Sequence, residues 1–195
     1  MEWKLFDDSS YVSTADFHKD REAVAHIEQP AHIPRMEKTV EIVNHMFDEG
    51  LINSATDLGA GDGGMLALIN RPDVTWGYDF QPANIVKAAE RGVNVMYANF
   101  VDDDVRIGDL AICTEVIEHL EDPHGFLARL APQVRWLVCS SPQNETIDWH
   151  AAEHAWAWDK EGYVTMLTNA GFYVSNSFDV IPFQVHLCES EVYGG

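Results

Sequence analysis

The stretch ATDLGAGDGGML, residues 55–66, constrains this chain more than any other. It begins like a strand, places Gly59, Gly61 and Gly63 at alternate positions, and runs into an apolar segment. A strand that turns on bare backbone into a helix lets a ligand come close and offers it unpaired N–H groups. Asp57 stands two residues before the first glycine, and Asp79 ends the next strand-like run, VTWGYD. A carboxylate at the end of that second strand can accept hydrogen bonds from both hydroxyls of a ribose.

Two ligand classes fit this turn to different degrees. Gly59, Gly61 and Gly64 satisfy the dinucleotide pattern G-x-G-x-x-G, which is weak evidence by itself. A pyrophosphate has no use for Asp57, whose carboxylate would repel it. S-adenosylmethionine carries an ammonium, a sulfonium and no phosphate, and so matches an acid at that place.

Beyond the turn, short apolar runs alternate with longer amphipathic ones. Pro34 opens a helix over RMEKTVEIVNHMFDEG, with Val40, Val43, Met46 and Phe47 on one side and a stop at Gly50. SATDLGA, VTWGYD, VNVMYA, GDLAICTEV and VRWLVCSSP read as strands. GGMLALIN, PANIVKAAERG, DPHGFLARLA and DKEGYVTMLTNAG read as helices. This alternation predicts βαβ units around a parallel sheet. The closing runs FYVSNSFDV and FQVHLCES are too close for a helical crossover and should pair antiparallel, with a bend at Pro182. The expectation is one α/β domain of Rossmann-like, doubly wound build over 1–195. Residues 1–50 would supply an N-terminal lid segment and helix, and 51–195 the cofactor-binding core.

Charge narrows the partners. Twelve Lys and Arg against 32 Asp and Glu give a net charge of −20, and the basic residues are scattered. Such a surface repels phosphate backbones and argues against nucleic acid as a partner. No apolar run is long enough for a membrane span. The start MEWKLFDDSS lacks the basic and apolar regions of a signal peptide. Cys113, Cys139 and Cys188 have no metal-like spacing and sit in apolar, strand-like contexts, which suits reduced thiols in the cytoplasm.

From about residue 34 onward the chain resembles the class I S-adenosylmethionine-dependent methyltransferases. DLGAGDGG, GYDFQPANI, GDLAICTEVIEHLEDP and HAWAWDKEGYVTMLTNAGF carry the resemblance. The EVIEHL string is typical of members acting on small molecules. The resemblance implies a seven-stranded sheet in the order 3-2-1-4-5-7-6 with strand 7 antiparallel, and S-adenosyl-L-methionine as cofactor. By position, Asp57, Gly59, Ala60, Gly61 and Gly63 would surround the methionine end, and Asp79 would hold the ribose. Phe80, Asn99 and Phe100 would lie by the adenine, and Glu115 would face the sulfonium. The family usually has a helix between its third and fourth strands, where this chain has only a short polar stretch rich in aspartate.

TEVIEHL places Glu115, Glu118 and His119 on one side of a helical turn. Three roles compete for them. They can support the cofactor pocket, or His119 can act as general base, since imidazole titrates near neutral pH. The third role is a divalent metal site. The small-RNA 3′-terminal 2′-O-methyltransferases look similar here, using a Glu, a Glu–His pair and a later His; His154 would be the later one. The site is read as metal-free, with His119 and His154 as the catalytic candidates and a small molecule as the acceptor. The acceptor's O or N would be the methylated atom.

Two segments are expected to border the acceptor. In SSPQNETIDWHAAEHAWAWDKEG, Trp149, Trp156 and Trp158 can wall a pocket around His150 and His154, or pack the last helix. In HIEQPAHIPR, residues His26, Gln29, His32 and Arg35 can form a lid. A nicotinamide-dependent reductase and a non-catalytic nucleotide-binding module are the rivals. The reductase has no use for Asp57, and no Tyr–Lys hydride-transfer pair is evident.

Overall fold

Period-two alternation along the buried strands dictates a sheet covered on both faces. In the strand β5 (Leu110–Thr114), Leu110 and Ile112 pack into one hydrophobic cluster while Ala111 and Cys113 pack into another on the opposite side. The computed structural model describes residues 1–6 and 25–194. Tyr11, Phe17 and most of the segment expected to precede the first helix lie outside the described residues.

Helix α1 (Ile33–Asp48) has Pro34 in its first turn and lays Met36, Ile42, Val43 and Met46 on the sheet. Its buried stripe also contains Arg35 and Thr39, whereas Val40 and Phe47 lie at its margin. Strand β2 (Ala55–Leu58) follows, then α2 (Gly64–Ile69), β3 (Thr75–Asp79), α3 (Pro82–Glu90) and β4 (Val95–Tyr97). After β5 come α4 (Pro123–Leu130), β6 (Trp136–Pro142), β7 (Trp156–Trp158), α5 (Lys160–Asn169), β8 (Phe172–Val180) and β9 (Phe183–Ser190). The side chains of Asp122 and Asp159 cap α4 and α5 by accepting from the N–H groups of Gly125 and Gly162, each at 2.8 Å.

The main sheet runs β4-β3-β2-β5-β6-β9-β8. Its first five strands are parallel, and β9 is antiparallel to both β6 and β8. In the order of the main strands this is 3-2-1-4-5-7-6, as expected. No helix joins β4 to β5; residues 98–109 cross by turns.

The N-terminus differs from expectation. Residues Glu2–Lys4 form β1, which pairs antiparallel with β7, so Trp156 and Trp158 belong to a two-stranded sheet. Trp158 is fully buried against Tyr163, and its indole N–H donates to Glu2 at 2.6 Å. Neither tryptophan lines the cavity described below, nor does His150. Too short and too polar to show period two, this strand gives no sequence signal.

Gly63 serves packing. Its φ is +76°, and a Cβ there would meet Val93 Cγ2 at 2.4 Å and Ala88 Cβ at 3.1 Å. Gly63→Ala is expected to lower unfolding free energy by about 2 kcal/mol or more, from left-handed strain plus overpacking. Urea denaturation measures this directly; an unchanged midpoint would contradict it.

Candidate active site

Parallel sheets bind ligands at the carboxyl ends of their strands, where the order of connection reverses. Here the reversal falls between β2 and β5, and a cavity of about 1080 Å³ opens there. The expected site residues Asp57, Gly59, Ala60, Gly61, Asp79, Phe80, Asn99, Phe100, Glu115, His119 and His154 all line it. Gly63 does not; it lies behind the turn against α3.

The turn after β2 needs glycine for two reasons. Gly59 has φ +81°, and a Cβ on it would lie 2.6 Å from Val116 Cγ2, so the turn packs tightly there. Gly61 has φ +54°, and nothing lies within 4 Å of the position a Cβ would take. Asp79 ties this turn to the next strand. Its Oδ2 accepts from the Gly61 N–H at 2.9 Å, and its Oδ1 accepts from the Gln81 N–H at 2.8 Å and Asn84 Nδ2 at 3.2 Å. Burial raises the Asp79 carboxyl, against the lowering effect of those three bonds. Asp57 is more deeply enclosed: burial pushes it up to about 7, with Arg35 acting against the shift and Asp79 adding to it.

Beyond β4, the turn at Asn99 replaces the missing helix. Asn99 Nδ2 donates to Asp102 at 2.7 Å and its backbone N–H to Asp103 at 2.8 Å, which fixes Phe100 on the cavity wall against Phe126. The adenine-side candidates are thus brought to the cavity by an Asx-type turn.

Glu115, just past β5, has φ +58°, a left-handed conformation rare for this residue type. Such strain persists where the surrounding structure enforces it, commonly at functional positions. Ser140 Oγ donates to Glu115 Oε1 at 3.0 Å, and Arg35 Nε lies 3.8 Å from the same oxygen. Burial raises the Glu115 carboxyl, with Arg35 the chief opposing influence.

The next three residues form a 3-10 turn, Ile117–His119. Both Glu118 oxygens are buried and, among the described residues, accept no hydrogen bond from another residue. Burial, reinforced by the charge of Glu115, holds this carboxyl well above the usual range. The donor atoms of Glu118, His119 and His154 lie within 4.8 Å of one another, and the two imidazoles meet edge to face at 4.7 Å. Glu115 stands outside that group, since its left-handed backbone breaks the helical spacing assumed for E-x-x-E-H.

Glu145 was not among the sequence candidates. It lines the cavity while 6% exposed, and holds His154 Nδ1 at 2.5 Å with one oxygen. Its other oxygen accepts from the Ala151 N–H at 3.0 Å. The only sequence hint was its place in the long polar connector after β6. His119 Nδ1 faces the Glu153 carbonyl at 3.1 Å. Trp149 lines the cavity mouth and is largely exposed, while the lid candidates His26, Gln29, His32 and Arg35 line the cavity from the α1 side.

A family model described as "Methyltransferase domain" matches residues 41–176. No curated protein matches the chain. Among solved structures, magnesium protoporphyrin IX methyltransferase from Synechocystis PCC 6803 with bound SAH superposes with a TM-score of 0.65 at 14% identity, covering 87% of this chain and 90% of that one. Burkholderia thailandensis 1,6-didemethyltoxoflavin-N1-methyltransferase gives 0.63 at 16% identity, with 84% and 79% covered. The methyltransferase domain of bacterial CtHen1-C gives 0.60 at 16% identity, with 80% and 98% covered. At these identities the likeness establishes the fold. Among the described residues, no helix is long and apolar enough to cross a membrane.

Proposed function

The chain belongs to the methyltransferase-domain family, and from that premise we propose that it moves a methyl group from S-adenosylmethionine to a small-molecule acceptor at oxygen or nitrogen. One observation carries the reading: a glycine turn with Asp57 and Asp79 beside it, all facing one cavity. The residues present fit this donor, because Gly61, which lines the cavity with Asp57 and Asp79, leaves open space where a side chain would stand. Two of the structural neighbours are named for small-molecule acceptors, which supports the same substrate class. Three free, buried thiols suit a reducing cytoplasm.

When bound, S-adenosylmethionine supplies an activated methyl carbon with a neutral thioether as leaving group. The chain's own task is to align the acceptor, exclude water and take a proton where the acceptor has one. His154 is placed for the last step. The Glu145 carboxylate accepts its Nδ1–H, which fixes the tautomer and leaves the Nε2 lone pair for the acceptor's proton. His119 packs against the His154 ring and borders the same space. The test of function is transfer of labelled methyl into a small-molecule fraction of cell extract; label confined to macromolecules would contradict the acceptor class.

Asp57 gives a pH signature. Its carboxyl holds a proton up to about pH 7 in the empty protein. A ligand ammonium beside it favours the carboxylate, so its pKa falls in the complex. Binding then releases a proton below about pH 7 and none from this group above it, and affinity climbs with pH before levelling off. Calorimetry in buffers of different ionisation heat reads this release, and Asp57→Asn should abolish it. Equal proton release by wild type and variant would contradict the assignment.

Glu118 favours a second reading, a divalent-metal-dependent enzyme resembling the RNA 2′-O-methyltransferases. A buried carboxylate that no other described residue hydrogen-bonds, beside two imidazoles, is an oxygen–nitrogen donor set suited to Mg²⁺ or Mn²⁺. Glu118, His119 and His154 would hold the ion, which would supply Lewis-acid polarisation of an acceptor hydroxyl. The net charge of −20 still disfavours an RNA acceptor. On this reading EDTA abolishes turnover, and Mn²⁺ binding is lost in Glu118→Gln; full activity in EDTA would remove it.

A further inference from the structure

We propose that the acceptor is a small aromatic amine that arrives as a cation, its flat body against Trp149 at the cavity mouth and its nitrogen beside His154. The inference rests on the methyl transfer proposed above and narrows its acceptor atom to nitrogen.

The cavity has room for both partners. At about 1080 Å³ it lies just above the range of roughly 300–1000 Å³ usual for one drug-sized ligand. Its charge selects among acceptors. Among the described residues, nine that line it are Asp or Glu, two are Arg and none is Lys. Asp57, Asp79 and Glu145 are buried there, with Arg35 the one buried arginine. The donor brings one net positive charge to the end with Asp57 and Asp79. Beyond β5 and β6 stand two further carboxyls, Glu118 and Glu145, and both reach His154. Glu145 holds its Nδ1 at 2.5 Å. Glu118 is 1% exposed and accepts no hydrogen bond from another described residue, and its oxygen, His119 and His154 offer atoms within 4.8 Å of one another. A buried carboxyl left in that condition calls for a positive or hydrogen-donating group next to it.

The same sign separates oxygen from nitrogen as the methylated atom. A hydroxyl that passes its proton to His154 leaves a developing oxyanion among carboxylates, which repel it. An ammonium that passes its N–H proton to His154 Nε2 only moves positive charge from nitrogen to imidazole. The freed lone pair then forms the N–CH₃ bond as the C–S bond breaks, and that bond's electron pair leaves with sulfur. The nitrogen takes up the positive charge that the sulfonium loses, and no negative centre forms at either step.

The mouth suits a flat body. The second Glu145 oxygen accepts from the Ala151 N–H at 3.0 Å, while Thr146 and Trp149 exchange backbone hydrogen bonds of 2.8 and 3.2 Å. The connector is thereby folded on the carboxylate that orients His154, and it holds Trp149 at the cavity with its side chain 63% exposed. An indole fixed in this way offers its face to an aromatic ring or a cation. The Gln143 N–H donates to the Pro182 carbonyl at 3.0 Å, which ties the connector to the turn carrying Pro182 and Phe183 on the cavity wall.

Three ligands of similar shape test the proposal: tyramine as cation, 4-ethylphenol as neutral body and 3-(4-hydroxyphenyl)propionate as anion. Each is titrated calorimetrically, in EDTA, into protein loaded with S-adenosylhomocysteine. Tyramine should bind roughly tenfold tighter than 4-ethylphenol, and the propionate weakest of all. Trp149→Ala should weaken tyramine by roughly tenfold and leave S-adenosylhomocysteine affinity unchanged, and Trp149→Phe should restore most of the loss. Neutral or anionic ligand bound as tightly as tyramine overturns the proposal, and so does wild-type tyramine affinity in Trp149→Ala. In cell extract, labelled methyl should enter small molecules that a cation exchanger retains at neutral pH; label that passes through overturns the proposal, and this result decides if none of the three ligands binds. If wild type binds no S-adenosylhomocysteine, the proposed function fails separately, and the same three titrations on the unloaded protein decide the amine site alone.

Discussion

Asp79→Ala weakens S-adenosylhomocysteine binding by about 100-fold or more, the loss expected when two charge-assisted hydrogen bonds disappear. Asp79 has two roles that a single truncation removes together. It anchors the glycine turn through the Gly61 N–H, and its 7% exposed carboxylate lines the cavity where a ribose would sit. Asp79→Asn separates the roles, since an amide keeps one oxygen for the Gly61 bond but forfeits the charge; about tenfold weaker binding is expected. Calorimetric titration of both variants, with circular dichroism to confirm the fold, measures the difference. Wild-type affinity in Asp79→Ala would mean that the ligand does not reach the end of β3.

His154→Ala lowers kcat by about 10²- to 10⁴-fold, the usual worth of a positioned general base, while S-adenosylhomocysteine affinity stays within a few-fold of wild type. Glu145→Gln should cost less, about tenfold, because an amide still accepts from Nδ1 but no longer stabilises the imidazolium formed during proton transfer. The pairing separates base catalysis from packing. A merely structural His154 would give equal losses in kcat and in cofactor affinity. Single-turnover methyl transfer, followed for both variants across pH, checks the ordering; an Ala variant as fast as wild type would assign the proton elsewhere, with His119 the next candidate.

Much of this arrangement was legible in the sequence because it depends on periodicity and on glycine. Alternating short and long apolar runs determine a doubly wound sheet, and two closely spaced final strands leave only an antiparallel return. Asp57 and Asp79 were readable as cavity-lining residues because strand ends at a glycine turn stand at the carboxyl edge of the sheet, where the cavity opens. Other features depend on contacts far apart in the chain. Glu2 and Trp158 meet across the two-stranded sheet, which the alternation of either segment does not encode. Arg35 was legible as a lid candidate, but its burial was not, since a cation on an amphipathic helix reads as a solvent-facing residue. Glu145 is silent for a similar reason: one acid in a polar connector becomes a His154 partner only when the loop folds back. Glu115, Glu118 and His119 were found as a motif, but the expected shared helical face gives way to a left-handed residue followed by a 3-10 turn.

On the proposed function, the cavity beside Asp57 and Asp79 takes S-adenosylmethionine and excludes dinucleotides. Calorimetric titration of S-adenosylhomocysteine into the wild-type protein, with NADH as the parallel ligand, tests it most directly. Micromolar binding of S-adenosylhomocysteine and none of NADH is the predicted result. NADH binding without S-adenosylhomocysteine binding would contradict it and identify the glycine turn as a pyrophosphate cradle.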